Sequence, residues 1–301
     1  MTGRVPIGIK TSPQAVDWAT LDAAWARIGE HDVFDSAWMN DHLTDVSRER
    51  HGPSFEALTA MAALVHRVPG KWVGHAVLSA TFRHPAVLAK AATVMDHATG
   101  GRFILGLGAG WHEGEHLPFG IPMPSMPERF DRFVSAVHVL RALWSEAAAT
   151  PPGVTRDDPF YPLTEATNEP PPRTPGGPRL WLGGQKPRGI ALAAAVADGW
   201  ALPTVVAPGT PSDLAYFSDR RDAILTALDA AGRDPAGFDI SAQVQTGTTA
   251  EDRRVALAQA LEAVERGATY LILGMPPRLG AAGVDAIAHD VAKPLRAALG
   301  G

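Results

Sequence analysis

The chain has 301 residues, of which 46% are hydrophobic and 20% are charged, and its formal net charge is −5. This charge and the lack of a long basic run argue against nucleic acid as a partner. A chain without cysteine forms no disulfide or thiolate zinc site and has no cysteine nucleophile. Residues 1–10 lack the apolar core of a signal peptide, and no apolar run approaches the roughly 20 residues that span a bilayer. We therefore expect a cytoplasmic protein that does not bind membranes.

Strand-like and helix-like segments alternate along the chain, which is typical of parallel strands joined by crossover helices. The strands are predicted at Val5–Ile9, Val33–Met39, Trp72–Leu78, Arg102–Leu107, Arg179–Leu182, Gly199–Leu202, Phe238–Gln243 and Thr269–Leu273. The helices are predicted at Ala15–Ile28, Ser54–Val65, Pro85–His97, Pro127–Trp144, Gly189–Ala197, Pro211–Ala231, Glu251–Arg266 and Gly283–Leu299. Thr249 is predicted to cap a helix, and Pro85, Pro127 and Pro211 to lie in first turns.

Eight strand–helix pairs predict an α/β fold of the (β/α)8 or TIM-barrel type. An open doubly wound sheet is the alternative. It is disfavoured because the cluster of Gly106, Gly108 and Gly110 closes the fourth strand, whereas a dinucleotide-binding fingerprint normally follows the first. No composition break divides the chain, so we expect one domain over residues 1–301. The proline-rich residues 146–178 are predicted to form an insertion on the C-terminal face, where barrel active sites lie.

Three segments that follow strands are candidates for function. The glycine cluster could let backbone approach a ligand, or simply form a tight turn. Asp41 and His42 follow the second strand and suit acid–base chemistry, because histidine titrates near neutrality; a surface pair is the alternative. Residues 183–189 join a strand to a helix, and the free N–H groups there, beside Lys186 and Arg188, suit a phosphate group. A plain turn with solvated charges is the alternative.

Two further features lie just after the glycine cluster. His112, Glu113 and His116 match the H-E-x-x-H pattern of zinc proteases, but that chemistry needs a continuous helix. The glycines and Pro118 around the motif predict a loop, so we interpret the match as coincidence and expect no metal. Trp111 could line a pocket for an aromatic cofactor or substrate, or plug the mouth of the barrel.

Motifs along nearly the whole chain resemble those of the luciferase-like flavin and deazaflavin superfamily. They are Asp41-His42, Thr81-Phe82-Arg83-His84-Pro85, Leu88-Ala89-Lys90, Asp96, Gly100-Gly101-Arg102-Phe103, Gly106-Leu107-Gly108-Ala109-Gly110-Trp111, Glu115, Gly120-Ile121-Pro122, Glu128-Arg129-Phe130, Leu140-Arg141-Ala142-Leu143-Trp144, Gly183-Gly184 and Ala197-Asp198-Gly199-Trp200. Within this superfamily the chain looks most like the coenzyme F420-dependent oxidoreductases. The resemblance implies hydride transfer between F420 and a small organic substrate, in a homodimer. An FMN-dependent monooxygenase is the alternative, and a barrel that binds a cofactor without catalysis is a further one.

The resemblance also implies how the site is arranged. The ring would lie over the C-terminal mouth, beside a non-proline cis peptide at Ala76–Val77. The implied cofactor-binding residues are Asp41, Ala76, Val77, Ser79, Ala109 and Gly110 at the ring, and Gly183, Gly184, Gln185 and Lys186 at the phosphate. His42, oriented by Asp41, would transfer a proton, and Trp111 and Glu115 would line the substrate pocket. The sugar-phosphate dehydrogenase branch has a glutamate where Trp111 stands here, which disfavours sugar-phosphate oxidation.

Overall fold

The computed structural model describes residues 4–46, 52–202 and 214–300. Its strands are β1 (Ile7–Thr11), β2 (Ser36–Met39), β3 (Trp72–His75), β4 (Leu78–Ser79), β5 (Phe103–Gly108), β6 (Val154–Arg156), β7 (Leu163–Ala166), β8 (Arg179–Leu182), β9 (Gly199–Leu202), β10 (Asp239–Gln245) and β11 (Tyr270–Gly274). Its α-helices are α1 (Trp18–Glu30), α2 (Ala57–Leu64), α3 (Pro85–Ala98), α4 (Glu113–His116), α5 (Met126–Leu143), α6 (Pro187–Val196), α7 (Leu214–Ala230), α8 (Ala250–Glu265), α9 (Gly280–Ile287) and α10 (Lys293–Ala298).

Eight parallel strands of the described residues close into a barrel, in the spatial order β1, β2, β3, β5, β8, β9, β10, β11 and back to β1. The short strand β4 continues beyond β3 and pairs with the end of β5. Helices pack around the outside, where a continuous apolar core fills the space between them and the strands. The structure thus confirms the predicted (β/α)8 TIM barrel.

The lower part of the barrel interior is filled by three aromatic rings. Trp38 and Trp181 are stacked with centroids 4.9 Å apart, and Tyr270 meets both edge-on. Glycines make room for them: a Cβ at Gly8 would lie 2.4 Å from Trp38 Nε1, and one at Gly199 would lie 2.5 Å from Trp181 Nε1. The small and aromatic residues on facing strands therefore fill the lower interior of the barrel.

The helix starts follow the predicted chemistry where the structure describes them. Thr249 and Asp252 form a reciprocal capping box at α8. Pro85 and Pro127 lie in the first turns of α3 and α5. Pro211, predicted in the first turn of the sixth helix, lies outside the described residues, and α7 is described from Leu214.

Several predicted boundaries differ from the structure. The first strand runs from Ile7 to Thr11 and so includes Lys10, whereas the prediction ended it at Ile9. The predicted third strand is broken between His75 and Leu78, where the Ala76–Val77 peptide is cis. The last helix begins at Gly280 and continues through a π-helical turn at Ala288–Ala292 into α10.

The predicted insertion contains the antiparallel hairpin β6–β7 and packs along the outside of α3. Tyr161 meets His84 at the start of α3 with ring centroids 5.2 Å apart. Near the end of that helix, the carboxylate of Asp96 accepts hydrogen bonds from the backbone N–H and the hydroxyl of Thr174. These contacts fix the insertion to the barrel wall, and its role in a substrate pocket stays a prediction. No helix in the described ranges is long and apolar enough to cross a membrane.

Candidate active site

The C-terminal ends of the parallel strands bring distant segments of the chain to one rim. Asp41 and His42 follow β2, the Ala76–Val77 peptide follows β3, and Ser79 ends β4. Ala109 and Gly110 follow β5, and Gly183 follows β8. The structure therefore places the predicted ring-binding residues and the start of the predicted phosphate segment around one mouth.

The glycines at the end of β5 make room for other parts of the protein. A Cβ at Gly106 would lie 1.7 Å from the carbonyl oxygen of His75, and one at Gly108 would lie 2.9 Å from Val77 Cγ2. A Cβ at Gly183 would lie 3.7 Å from the same methyl group. These glycines admit the chain between β3 and β4, and Val77 becomes an apolar floor in the mouth. The interpretation of the cluster as a plain turn is thus incomplete, since Gly106 and Gly108 lie within the strand.

Asp41 is buried and binds Arg83 and backbone. Arg83 donates two hydrogen bonds to its carboxylate, at 2.7 and 2.9 Å, and the backbone N–H of Ser79 donates a third at 2.8 Å. Arg83 also pairs with Glu56, which caps the start of α2. Burial raises the pKa of the Glu56 carboxyl, but the hydrogen bonds and charge of Arg83 outweigh it and lower the pKa to about 2. Asp41 thus fixes the position of Ser79 on the rim.

His42 is held by Glu115, which is a correction to the expectation that Asp41 orients it. His42 Nδ1 lies 3.0 and 2.9 Å from the two carboxylate oxygens of Glu115. The backbone N–H groups of Leu43 and Thr44 donate to the same carboxylate. Neighbouring residues in extended chain point to opposite sides, so the adjacent Asp41 does not reach the imidazole.

The charge of Glu115 determines which ring nitrogen of His42 carries a proton. Only 1% of this residue is exposed. Burial raises the pKa of the Glu115 carboxyl, but the hydrogen bond and charge of His42 and the N–H of Thr44 outweigh it, so the pKa lies below its ordinary value. An ionised carboxylate can only accept, so Nδ1 of His42 carries a proton and donates it to Glu115.

Trp111 stands beside this pair on the rim. Its ring meets that of His42 edge-on, with centroids 6.0 Å apart, and 68% of the residue is exposed. It does not plug the barrel, because Val77 and the rings below it occupy the interior. Trp111 is therefore placed to contact a molecule that approaches His42.

A second chain of polar groups runs away from Ser79. Its hydroxyl lies 2.7 Å from the hydroxyl of Thr81, which lies 2.7 Å from Nε2 of His116. Nδ1 of His116 lies 2.8 Å from the carbonyl oxygen of His112. Both nitrogens of His116 thus have partners within the protein, and His112 precedes the four-residue helix α4. The loop predicted for the H-E-x-x-H match is wrong at Glu113–His116, which form α4, and His112 lies before this helix rather than in it.

The predicted phosphate segment lies at the start of α6. Gly184 has φ +124°, and Lys186 occupies the N-cap position with no side-chain cap, followed by Pro187. The first N–H groups of this helix are therefore available to an anion. Arg188, which the sequence suggested as a second cation here, instead pairs with Asp131 at 2.5 Å.

Sequence reasoning missed two groups beside this segment on α7. Arg220 donates to the backbone carbonyl of Gln185 at 3.2 Å, and the Tyr216 hydroxyl donates to its side chain at 2.5 Å. Tyr216 lies 31 residues and Arg220 lies 35 residues from Gln185 in the sequence, and no local pattern links them to it. Residues 203–213, which precede them, lie outside the described chain.

Sequence reasoning also missed a lysine inside the barrel. Lys10 lies on the same side of β1 as Gly8, and its Nζ donates to Gln243 Oε1 at 2.5 Å. Burial lowers the pKa of the Lys10 amine to about 8. The signal was available, because a lone charged residue that directly follows an apolar strand is unusual unless it faces a polar site.

The profile of the luciferase-like monooxygenase family matches residues 8–294. The chain is 30% identical over 284 residues to a phthiodiolone/phenolphthiodiolone dimycocerosates ketoreductase from Mycobacterium kansasii, covering 89% of this chain and 71% of that protein. It is 36% identical over 172 residues to an F420-dependent glucose-6-phosphate dehydrogenase from Kribbella flavida, covering 57% of this chain and 49% of that one. The chain therefore spans about half to seven tenths of the length of these relatives.

A similar fold has been solved in an F420-dependent secondary alcohol dehydrogenase in complex with an F420–acetone adduct. The TM-score is 0.74, with 20% sequence identity, and the match covers 97% of this chain and 99% of that one. The similarity in fold extends over the whole barrel.

Proposed function

Because this chain belongs to the luciferase-like monooxygenase family, we propose that it is an F420-dependent oxidoreductase that transfers a hydride between the deazaflavin and a small organic substrate. The observation that carries this proposal is the pair formed by His42 and the buried, ionised Glu115 at the mouth. Hydride transfer to a carbonyl needs one proton for the oxygen, and the reverse reaction must remove one. An imidazole held by a carboxylate at Nδ1 and open at Nε2 suits both directions.

The residues at the mouth fit a flat tricyclic ring with a phosphate-bearing tail. Val77 offers an apolar floor, and the glycine backbone of β5 and Gly183 adds no side chains above it. The N–H groups at the start of α6, beside Lys186, offer an anion site on the same rim. We propose that Asp41, Ala76, Val77, Ser79, Ala109 and Gly110 border the ring, and that Gly183, Gly184, Gln185 and Lys186 hold the phosphate.

When bound, F420 supplies a hydride donor or acceptor at a ring carbon, which no side chain can provide. The protein contributes orientation and the proton. In the reducing direction, Nε2 of His42 would give its proton to the carbonyl oxygen of a substrate that takes up a hydride at its carbonyl carbon, and the product would be an alcohol. Glu115 stabilises the imidazolium that precedes this step, and Trp111 covers one side of the substrate.

Relatives support a carbonyl or alcohol as the substrate. The Mycobacterium kansasii protein is named a ketoreductase, and the solved neighbour is a secondary alcohol dehydrogenase. Both names describe the interconversion of a ketone and a secondary alcohol. We propose the same reaction class here, and we disfavour a sugar phosphate because Trp111 follows the glycines of β5.

The alternative is an FMN-dependent luciferase-like monooxygenase, which the name of the matching family favours. Calorimetric titration of the purified protein with F420 and, separately, with FMN distinguishes the two. We expect F420 to bind and FMN to bind at least about tenfold more weakly, which corresponds to about 1.4 kcal/mol. The reverse preference, with oxygen uptake during turnover, would assign the protein to the monooxygenases.

A turnover assay completes the test. With reduced F420 and a panel of ketones, or oxidised F420 and secondary alcohols, the deazaflavin absorbance should change only when substrate is present. Tight F420 binding with no turnover of any carbonyl or alcohol would favour a barrel that has lost catalysis.

A further inference from the structure

We propose that His116 is a positioning residue that acts through Thr81 to hold the Ser79 hydroxyl as a hydrogen-bond acceptor on the rim. The site would then select a ring edge that presents an N–H or O–H group to Ser79. This inference rests on the proposed function, in which Ser79 borders the cofactor.

The surroundings of His116 determine its charge and its tautomer. The residue is 1% exposed, and among the described residues none places a carboxylate within ion-pair distance of its ring. A buried imidazolium without a counter-charge is costly, so His116 is neutral. The carbonyl oxygen of His112 can only accept, so Nδ1 carries the one ring proton and Nε2 has a lone pair.

That lone pair fixes the direction of both hydroxyl groups. Thr81 lies 2.7 Å from Nε2 and must donate its only hydrogen to it. The contact of 2.7 Å between the two hydroxyl oxygens can then be made only if Ser79 donates to Thr81. Ser79 has no second hydrogen, so its oxygen offers only lone pairs to the mouth.

The surroundings keep this arrangement in place. A Cβ at Gly110 would lie 2.7 Å from Ser79 Oγ and 2.8 Å from Thr81 Oγ1, so the chain passes directly over both hydroxyls there. Gly110 has φ +79°, a conformation that glycine adopts without strain. The ring of Phe82 packs on His116 with centroids 5.0 Å apart. Neither hydroxyl can turn away without losing its partner.

The consequence is a preference in the ligand. A ring edge with an N–H or O–H can donate a hydrogen bond to Ser79, whereas a ring atom with a lone pair meets another lone pair. The backbone N–H of Ser79 offers no alternative donor, because it is bound to Asp41. Ser79 thus favours ligands with a hydrogen-bond donor at this position over ligands with an acceptor. His116 determines this preference through Thr81.

The first test reads the tautomer directly in the purified full-length chain without cofactor. Nitrogen-15 NMR of the histidine rings, with the His116 signals identified by their absence in His116→Gln, should show a neutral ring protonated at Nδ1 at pH 7. A ring protonated at Nε2, or at both nitrogens, would overturn the proposal because Thr81 would then have to accept.

The second test measures F420 affinity in variants that break or keep the chain. Thr81→Val keeps the shape but removes the link, and His116→Leu removes the acceptor; each should weaken F420 binding about threefold to tenfold. His116→Gln places an amide oxygen near the position of Nε2 and should restore affinity to within about twofold of wild type.

A double-mutant cycle separates positioning from general damage. In a Ser79→Ala background, Thr81→Val should weaken binding no further, because the acceptor that it positions is gone. Additive losses, or a His116→Gln variant as weak as His116→Leu, would show a merely structural role. Failure of the wild type to bind F420 would instead overturn the cofactor assignment, and the NMR result would still decide the direction of the chain.

Discussion

At its lower end the barrel is filled by Trp38, Trp181 and Tyr270, while at its upper rim the interior and the loops hold charges. There the pairs His42–Glu115 and Asp41–Arg83 are withdrawn from water, and Lys10 lies inside the wall. Buried aromatic rings contribute several kcal/mol each to folding, whereas buried charges add little or cost free energy unless they are fully paired. The lower end of the barrel thus contributes mainly to folding stability, whereas the upper rim holds the charged groups of the candidate site.

The largest effect should come from the rim. Replacing His42 with alanine removes the group proposed to transfer the proton, so kcat should fall about 100-fold to 10,000-fold. The F420 dissociation constant and the melting temperature should change little. The exposed His66, in the turn after α2, gives a matched control, and His66→Ala should keep wild-type kcat. Turnover of His42→Ala at the wild-type rate would remove His42 from the mechanism.

A substitution below the rim should lower the stability of the fold and leave cofactor binding nearly unchanged. Trp181→Ala leaves a cavity against Trp38 and Tyr270, and urea unfolding should show a loss of about 3–5 kcal/mol. Trp18, which is 40% exposed, provides the control, and Trp18→Ala should cost about 1 kcal/mol or less. If Trp181→Ala changed the F420 dissociation constant more than the free energy of unfolding, the division between the two ends would fail.

Substitution of Lys10 tests whether a buried charge near the rim lowers the free energy of unfolding. Its pKa of about 8 in the fold is below the ordinary 10.5, so the unfolded chain binds more protons between these values and the wild type should become more stable as pH rises through that window. Below pH 8 the cost of the buried charge is complete. The difference between the two pKa values corresponds to about 3 kcal/mol, and the lost hydrogen bond to Gln243 offsets about 1 kcal/mol of it. Lys10→Met should therefore stabilise the protein by about 2 kcal/mol at pH 7, and by less near pH 10. Destabilisation by this variant at pH 7 would contradict the assignment.

The smallest effect concerns Glu115. Glu115→Gln keeps an oxygen for the N–H groups of Leu43 and Thr44 but removes the charge that favours an imidazolium at His42. We expect kcat to fall about tenfold with little change in KM. Glu113→Gln, on the exposed side of the same short helix, is the control. An equal fall in both variants would point to a disturbed helix rather than to a lost charge.

The fold could be predicted from the sequence because its signals are local. Apolar runs alternate with helical patterns, and parallel strands joined by helices leave few alternatives. Lys10 was missed because the first strand was predicted to end at Ile9, so the alternation of side chains along the strand was not followed to Lys10. The hairpin β6–β7 was missed because its proline-rich surroundings hide two short strands.

The site was predicted less completely, for a physical reason. Asp41 and His42 were recognised as neighbours in sequence, and adjacency suggested that one orients the other. Glu115, which holds the imidazole, lies 73 residues away, and Arg83 lies 42 residues from Asp41. These residues come into contact only when the barrel closes, and a single sequence does not show which distant residues will form a pair.

The carboxylate of Glu115 also has a mechanical consequence. It holds the imidazole of His42 together with the backbone of Leu43 and Thr44, while its own helix α4 is anchored through His116 to Thr81. The described residues directly after β2, β4 and β5 are therefore tied together by hydrogen bonds. A molecule that enters or leaves beside Trp111 must displace them together or break these hydrogen bonds, so the rim is expected to open as a single hinged piece.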